Sequence, residues 1–212
     1  MSLRAWRCAA VHAVVILVAG CATIPVDRER ANANWALRRP QLEQIDHFTL
    51  QARASAGGVL SGSANLLWRQ RPQDFDLHVS GPFGVGALSL TGNERRVRVR
   101  SKAQSFTTDD PERTLRENLG WTLPITRLRW WVLGLPAPNS SAAIDLDSAG
   151  RIATLTQDGW SLAYDAYQPT GRFDLPQRIL LARDDLKIRV VIDAWSDLPE
   201  DAGATPRAEA RP

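Results

Sequence analysis

Between residues 48 and 195, apolar side chains recur at every second position over much of the chain. Phe48, Leu50 and Ala52 alternate with Thr49, Gln51 and Arg53. Ala64, Leu66 and Trp68 alternate with Asn65, Leu67 and Arg69, and Phe75, Leu77 and Val79 with Asp76, His78 and Ser80. Val97 and Val99 sit among arginines in the run Arg95 to Arg100. The same character returns in 152–157, 160–167, 178–182 and 187–195, the last with Ile188, Val190 and Ile192 on one face. A period of two, broken by Gly, Pro, Asn and Asp turns, predicts half-buried strands in an antiparallel sheet. Asp184-Asp185 reads as a hairpin turn.

The period changes in three places. Leu42 and Ile45 have helical spacing within 35–45, where Pro40 must kink the helix or mark its start. Asp110-Pro111-Glu112 reads as an N-cap, a first-turn proline and an early acid, followed by Leu115, Leu119 and a stop at Gly120. Pro124 opens another helix with Ile125, Leu128 and Trp131 or Val132 on one side, ending at Gly134. The expected architecture is therefore mainly β: a curled antiparallel sheet of ten or eleven strands with about three short helices. Its apolar face is either filled by the helices or roofed over a hollow, and periodicity leaves both open.

The N-terminal residues follow a different rule. Arg4 and Arg7, an apolar run from Ala9 to Val18, and the small residues Ala19 and Gly20 before Cys21 have the layout of a cleaved leader. The run is shorter than the ~20 apolar residues a membrane-spanning helix needs. Leu17-Val18-Ala19-Gly20-Cys21 resembles the lipobox of bacterial lipoproteins, in which the cysteine is acylated after cleavage. Cys8 leaves with the leader, so Cys21 has no partner for an internal disulfide, and acylation gives it a use. The expected divisions are a leader at 1–20, a lipidated tether at 21–34 that is polar and alanine-rich, one domain at 35–196, and a disordered tail at 197–212.

Composition changes this picture little. With 44% hydrophobic and 23% charged residues the chain is globular. Its formal charge of +3 falls to +1 once Arg4 and Arg7 are removed. No basic patch with interleaved aromatics calls for nucleic acid. Seven tryptophans after residue 20, against two tyrosines, suit a greasy interior. The chain carries no nucleophile elbow, zinc-protease helix motif, phosphate loop or metal-spaced Cys/His set, so neither an enzyme nor a cofactor is expected. His47 and His78 read as surface imidazoles, and Asp109-Asp110 as helix capping.

One turn stands apart. Ser80-Gly81-Pro82-Phe83-Gly84-Val85-Gly86 joins two strands and holds Phe83 between a proline and a glycine. Such a residue either folds back on the core or protrudes as an apolar tip towards a membrane or partner.

Several segments together resemble the outer-membrane lipoprotein receptor family LolB. They are Leu67-Trp68-Arg69-Gln70, Gly81-Pro82-Phe83-Gly84, Asp109-Asp110-Pro111-Glu112, and Leu123-Pro124-Ile125 through Leu128 and Trp131 to Leu133-Gly134-Leu135-Pro136. Gly159-Trp160 with Tyr164 and Tyr167, Leu175-Pro176 and Ile192-Asp193-Ala194-Trp195 complete the set, in unbroken order behind the lipobox. The resemblance implies an incomplete, half-open antiparallel β-barrel of about eleven strands with a helical lid over its apolar concave face. It implies a monomeric receptor, lipid-anchored at Cys21 to the periplasmic face of the outer membrane. Such a receptor takes acylated lipoprotein cargo from the periplasmic carrier LolA and inserts it into outer-membrane lipid without ATP. The family carries an exposed leucine, needed for membrane insertion, in the turn between the third and fourth strands; Phe83 holds that position here. Candidates for the acyl hollow are Trp68, Phe75, Leu77, Trp160, Leu162, Ile188 and Val190 from strands, and Leu128, Trp131 and Leu135 from the lid. Ala22, directly after the cysteine, is consistent with outer-membrane delivery. A soluble LolA-like carrier would lack the lipobox. A structural envelope scaffold would have a fully packed apolar face.

Overall fold

The computed structural model describes residues 27–57, 62–81, 87–113, 117 and 124–199. The leader, Cys21, Phe83, the expected helix residues Leu115, Leu119 and Gly120, and the chain beyond 199 lie outside the described residues.

A helix, α1 (Arg28–Glu43), precedes eleven strands: β1 (Phe48–Gly57), β2 (Gly62–Gln70), β3 (Phe75–Ser80), β4 (Leu88–Gly92), β5 (Val97–Arg100), β6 (Ser105–Thr108), β7 (Ala142–Leu146), β8 (Ile152–Gln157), β9 (Trp160–Thr170), β10 (Phe173–Arg183) and β11 (Leu186–Ser196). A short helix, α2 (Ile125–Val132), lies between β6 and β7. Asp110 caps a helical turn at 111–113 by accepting from the Arg113 N–H at 3.0 Å.

All eleven strands form one antiparallel sheet in the order β6-β5-β4-β3-β2-β1-β11-β10-β9-β8-β7. The chain thus meanders outward twice from a central seam where the first strand pairs with the last. That seam bulges between Gln51 and Ala52, and the displaced Asp193 forms a fork with Arg53 at 2.7–3.2 Å. The Arg53 bond holds the Asp193 carboxyl below its ordinary range. The sheet stays open, because β6 and β7 are neighbours in sequence but lie on opposite edges. The chain from 109 to 141 must therefore cross from one edge to the other, and α2 is the described helix of that crossing.

Cross-strand register builds two apolar rows on one face. Leu50, Trp68, Leu77, Leu90, Val99 and Phe106 face one another in sequence from β1 to β6. Ile188, Leu181, Leu162, Leu155 and Ile144 do the same from β11 to β7. The rows merge into a single core that also takes Leu42 and Ile45 at the end of α1 and Trp131 from α2. A strand's alternation puts all of these on the same side, which is why a period-two sequence yields one continuous apolar wall.

Two boundaries differ from the sequence-based expectation. The helix expected over 35–45 starts at Arg28, inside the stretch read as tether, because Asp27 caps it by accepting from the Arg30 N–H at 3.1 Å. Pro40 lies within the helix rather than at its start. The strands expected to stop at Tyr167 and begin at Arg178 both run through prolines. Pro176 is accommodated because the β9–β10 register shifts between Pro176 and Ile179, where a missing ladder donor costs least. The Asp184-Asp185 turn joins β10 and β11 as expected, with Asp184 at φ 51°.

α1 caps the end of the sheet that holds the β7–β8 and β9–β10 turns. Arg38 donates to the Asp174 carbonyl. Arg151 bonds Asp147 at 2.7 Å and Asp174 at 2.8 Å, and its guanidinium lies 4.7 Å from the centre of the Tyr167 ring. Burial pulls Arg38 below its ordinary value and pushes Tyr167 above its own. Gly150 sits at φ 76°, where a Cβ would meet the Asn34 Cβ at 2.5 Å and the Ala31 carbonyl oxygen at 2.7 Å. Gly150→Ala should therefore push α1 off the sheet and cost about 2–3 kcal/mol, adding a left-handed backbone penalty to the clash. Urea denaturation of this variant checks it, with Gly171→Ala, also at positive φ but in open space, as the milder control.

Candidate functional site: the inner face and its helical cover

α2 is a one-sided helix laid on the apolar wall. Ile125, Trp131 and Val132 are buried, whereas Leu128 and Trp130 are only partly so. It ends in a Schellman turn: Leu135 N–H donates to the Trp130 carbonyl and Gly134 N–H to the Trp131 carbonyl, both at 3.0 Å. Gly134 supplies the required φ of 74°. The cap residue Leu133 is buried, as are Leu135 and Ala137 beyond the turn.

The cover is fastened to β8 and β9 by a small polar network. Gln157 is 1% exposed. Its Oε1 accepts from Trp131 Nε1 and from the Ala137 N–H, each at 2.9 Å. Its Nε2 donates to the Ala137 carbonyl and to Ser140 Oγ, each at 2.7 Å. All four hydrogen-bonding positions of the amide are thus used. The Tyr164 hydroxyl donates to the Trp131 carbonyl at 2.9 Å, and Arg127 pairs with Asp158 at 3.0 Å. Burial raises the Tyr164 pKa well above its ordinary value, so its phenol stays a donor. The Trp131 and Trp160 rings lie 6.2 Å apart.

The ten hollow candidates fall into two groups. Trp68, Leu77, Trp131, Leu135, Trp160 and Leu162 are buried in the core. Phe75, Leu128, Ile188 and Val190 are only partly buried. Ile188 and Val190 belong to a half-covered patch with Leu66 and Val79, at the end of the wall where the β3–β4 connection carrying Phe83 also joins the sheet. Trp68 and Phe75 line a cavity of about 420 Å³ at the opposite end of the strands.

Gln157 was not legible as a site residue from the sequence. A glutamine at a strand end reads as a turn-flanking polar residue, and the only cue was its inward parity with Leu155. His47 lies 2.6 Å from Asp46 and His78 lies 3.0 Å from Asp76; both are solvent-facing. Among the described residues no group of His, Cys, Asp and Glu is placed to hold a metal.

An open antiparallel half-barrel, with a buttoned helical cover on one part of its apolar face and a half-covered apolar patch on another, defines the class of this protein. Residues 46–195 match the family model for outer membrane lipoprotein LolB. The chain is 37% identical over 199 residues to an outer-membrane lipoprotein LolB of Pseudomonas fluorescens, covering 91% of this chain and 96% of the relative. It is 38% identical over 188 residues to that of Stutzerimonas stutzeri, covering 86% and 91%. Among solved structures, a LolA superfamily protein from Nitrosomonas europaea superposes with a TM-score of 0.47 at 8% identity, covering 81% of this chain and 94% of the other. The chain belongs to the LolB family of outer-membrane lipoproteins. Members of that family are lipoprotein-localization factors and not enzymes.

Proposed function

We propose that this protein receives acylated lipoproteins from the periplasmic carrier LolA, shelters their acyl chains against the inner face of the half-barrel, and releases them into the outer membrane without ATP. The observation that carries the reading is the half-covered patch of Leu66, Val79, Ile188 and Val190, continuous with the buried core and lying near one end of the central strands of an open sheet. An acyl chain exposed to water costs about 0.8 kcal/mol per CH₂, on the order of 10 kcal/mol for a long chain, so it moves only between sheltered sites. A sequence of sites with rising affinity then drives transfer with no further energy source. The protein acts as a monomer in this scheme.

Cys21, acylated, holds the receptor at the membrane that takes the cargo. It precedes the α1 cap Asp27 by six residues, a lead of at most about 21 Å when extended. α1 covers one end of the strands, and the turn holding Phe83 joins the other, about 30 Å away along β1.

The test is displacement of a fluorescent acyl probe from the mature protein. Ile188→Asp should weaken binding at least about tenfold, because a carboxylate in the wall must be desolvated, with only a small change in the unfolding midpoint since Ile188 is partly exposed. Absence of saturable binding by the parent protein would replace this reading with that of a structural envelope scaffold.

A further inference from the structure

The run Arg95 to Arg100 turns its valines to the core and its arginines to the opposite face of the sheet. Val97 and Val99 are buried, so Arg98 and Arg100 point outward, and both are exposed. β5 is hydrogen-bonded on both sides, by β4 and by β6, which stands these two side chains on a fixed platform roughly 7 Å apart along the strand. Register decides what surrounds them. Arg98 lies between Thr91 and Thr107, and Arg100 between Ser89 and Ser105. The outer surface of β4, β5 and β6 is therefore a block of two guanidinium groups and four hydroxyls, with no carboxylate among them.

The turns at both ends of β5 extend the charge. Arg95 and Arg96 precede the strand and Lys102 follows it, all three exposed. Against these five cations, residues 93–109 carry two acids, Glu94 and Asp109. The nearest carboxylate across the sheet is Asp76 on β3, opposite Thr91, and it lies 3.0 Å from His78. None of the five cationic side chains forms an ion pair with a described residue, whereas Arg53, Arg127 and Arg151 each do. Crowded like charges repel, so the cluster adds nothing to the stability of the fold, and an anion brought against it would relieve that repulsion.

We infer that the outer surface of β4–β6 docks on anionic phospholipid head groups of the membrane that holds the protein. Guanidinium forks match phosphate oxygens, and serine and threonine hydroxyls add donors beside them. The outer-membrane location shared by the family keeps this face within reach of a layer of phosphates. A protein partner would be anchored by aromatic or aliphatic side chains buried at the centre of the contact, and the six outward residues of this block include none. A lipid surface needs no such anchor, because a cluster of cations is enough to hold it. The contact is separate from acylation at Cys21 and from the Phe83 turn, both of which act through hydrocarbon. It does not depend on the inner face sheltering cargo.

The test uses the full mature chain with Cys21→Ala, so that inserted acyl chains do not mask a head-group contact. Sedimentation is measured with vesicles of phosphatidylcholine alone and of equal parts phosphatidylcholine and phosphatidylglycerol. The parent should bind the phosphatidylglycerol vesicles at least about tenfold more tightly, and added salt should shrink the difference by screening exposed charges. Each cation near such a surface contributes roughly fivefold, so Arg98→Gln with Arg100→Gln should weaken binding by about tenfold or more, with tryptophan emission and unfolding midpoint unchanged. Arg178→Gln with Arg189→Gln removes the same charge from exposed outer-face positions of β10 and β11, and should weaken binding less than about threefold. Equal losses in the two double variants would reduce the effect to net charge and overturn the inference, as would equal binding to both kinds of vesicle. Loss of polyglutamate binding by Arg98→Gln with Arg100→Gln, with vesicle binding intact, would assign the surface to an acidic protein and overturn it too. Failure of the acyl probe to bind, with the phosphatidylglycerol preference intact, would sink the lipoprotein reading and leave this contact standing.

Discussion

Gln157→Leu should destabilise the fold by about 3–5 kcal/mol, among the largest losses available to a single substitution outside the aromatic core. Leucine fills similar space but strips the acceptor from Trp131 Nε1 and the Ala137 N–H, and the donors from the Ala137 carbonyl and Ser140 Oγ. Each of these buried groups would then have to find water beneath the cover or remain unpaired. Urea unfolding reads the loss directly, with Thr156→Val, exposed on the same strand, as a control that should move little. Hydrogen exchange adds the location: amides of 131–137 should lose protection well before those of β9 and β10. Uniform loss across the sheet would mean that Gln157 stabilises the whole core, and that the cover has no separate fastening.

Phe83→Glu should have the largest effect on delivery. Uptake of cargo should stay near that of the parent, because the patch that shelters the chains is built by Leu66, Val79, Ile188 and Val190 on β2, β3 and β11. Insertion into liposomes should fall by one to two orders of magnitude. Burying a phenylalanine side chain contributes about 2–3 kcal/mol, and a carboxylate replaces that gain with a desolvation cost. A parallel Phe83→Leu variant should insert normally, since its apolar character is kept. Normal insertion by the glutamate variant would remove this turn from the mechanism.

Much of the fold was legible because alternation is a local property. Phe48, Leu50 and Ala52, or Val97 and Val99, declare their faces within a few residues, and the Asp110 and Gly134 helix signals depend on backbone geometry that their own side chains dictate. The pairing at the central seam was not local. Nothing within 48–57 or 186–196 announces that the first strand pairs with the last, since partner choice depends on matching whole faces. Pro169 and Pro176 read as strand ends because a proline lacks the ladder donor; the register shift that admits Pro176 exists only once β9 and β10 are paired. The early start of α1 was hidden by low hydrophobicity: among Arg28 to Asn34 only Ala31 is buried, and the helix is held by its Asp27 cap and by contacts with Gly150. Of the inner face, the large apolar residues were foreseeable from parity. Which of them stay half-covered was not, because that depends on where α2 lands. Gln157 was invisible for a related reason: the sequence shows a polar side chain, and only the assembled fold shows whether its partners are complete.

The central claim is that the half-covered wall takes acyl chains from a carrier and passes them to the membrane. Its most direct test is reconstituted transfer: a labelled lipoprotein bound to LolA is mixed with this protein and outer-membrane-like liposomes in the absence of nucleotide. The account predicts that label moves first to this protein and then to the liposomes, and that Ile188→Asp slows the first step whereas Phe83→Glu blocks the second. Label that remains on the carrier with the unmodified protein, or that reaches the liposomes equally fast without it, would contradict the account.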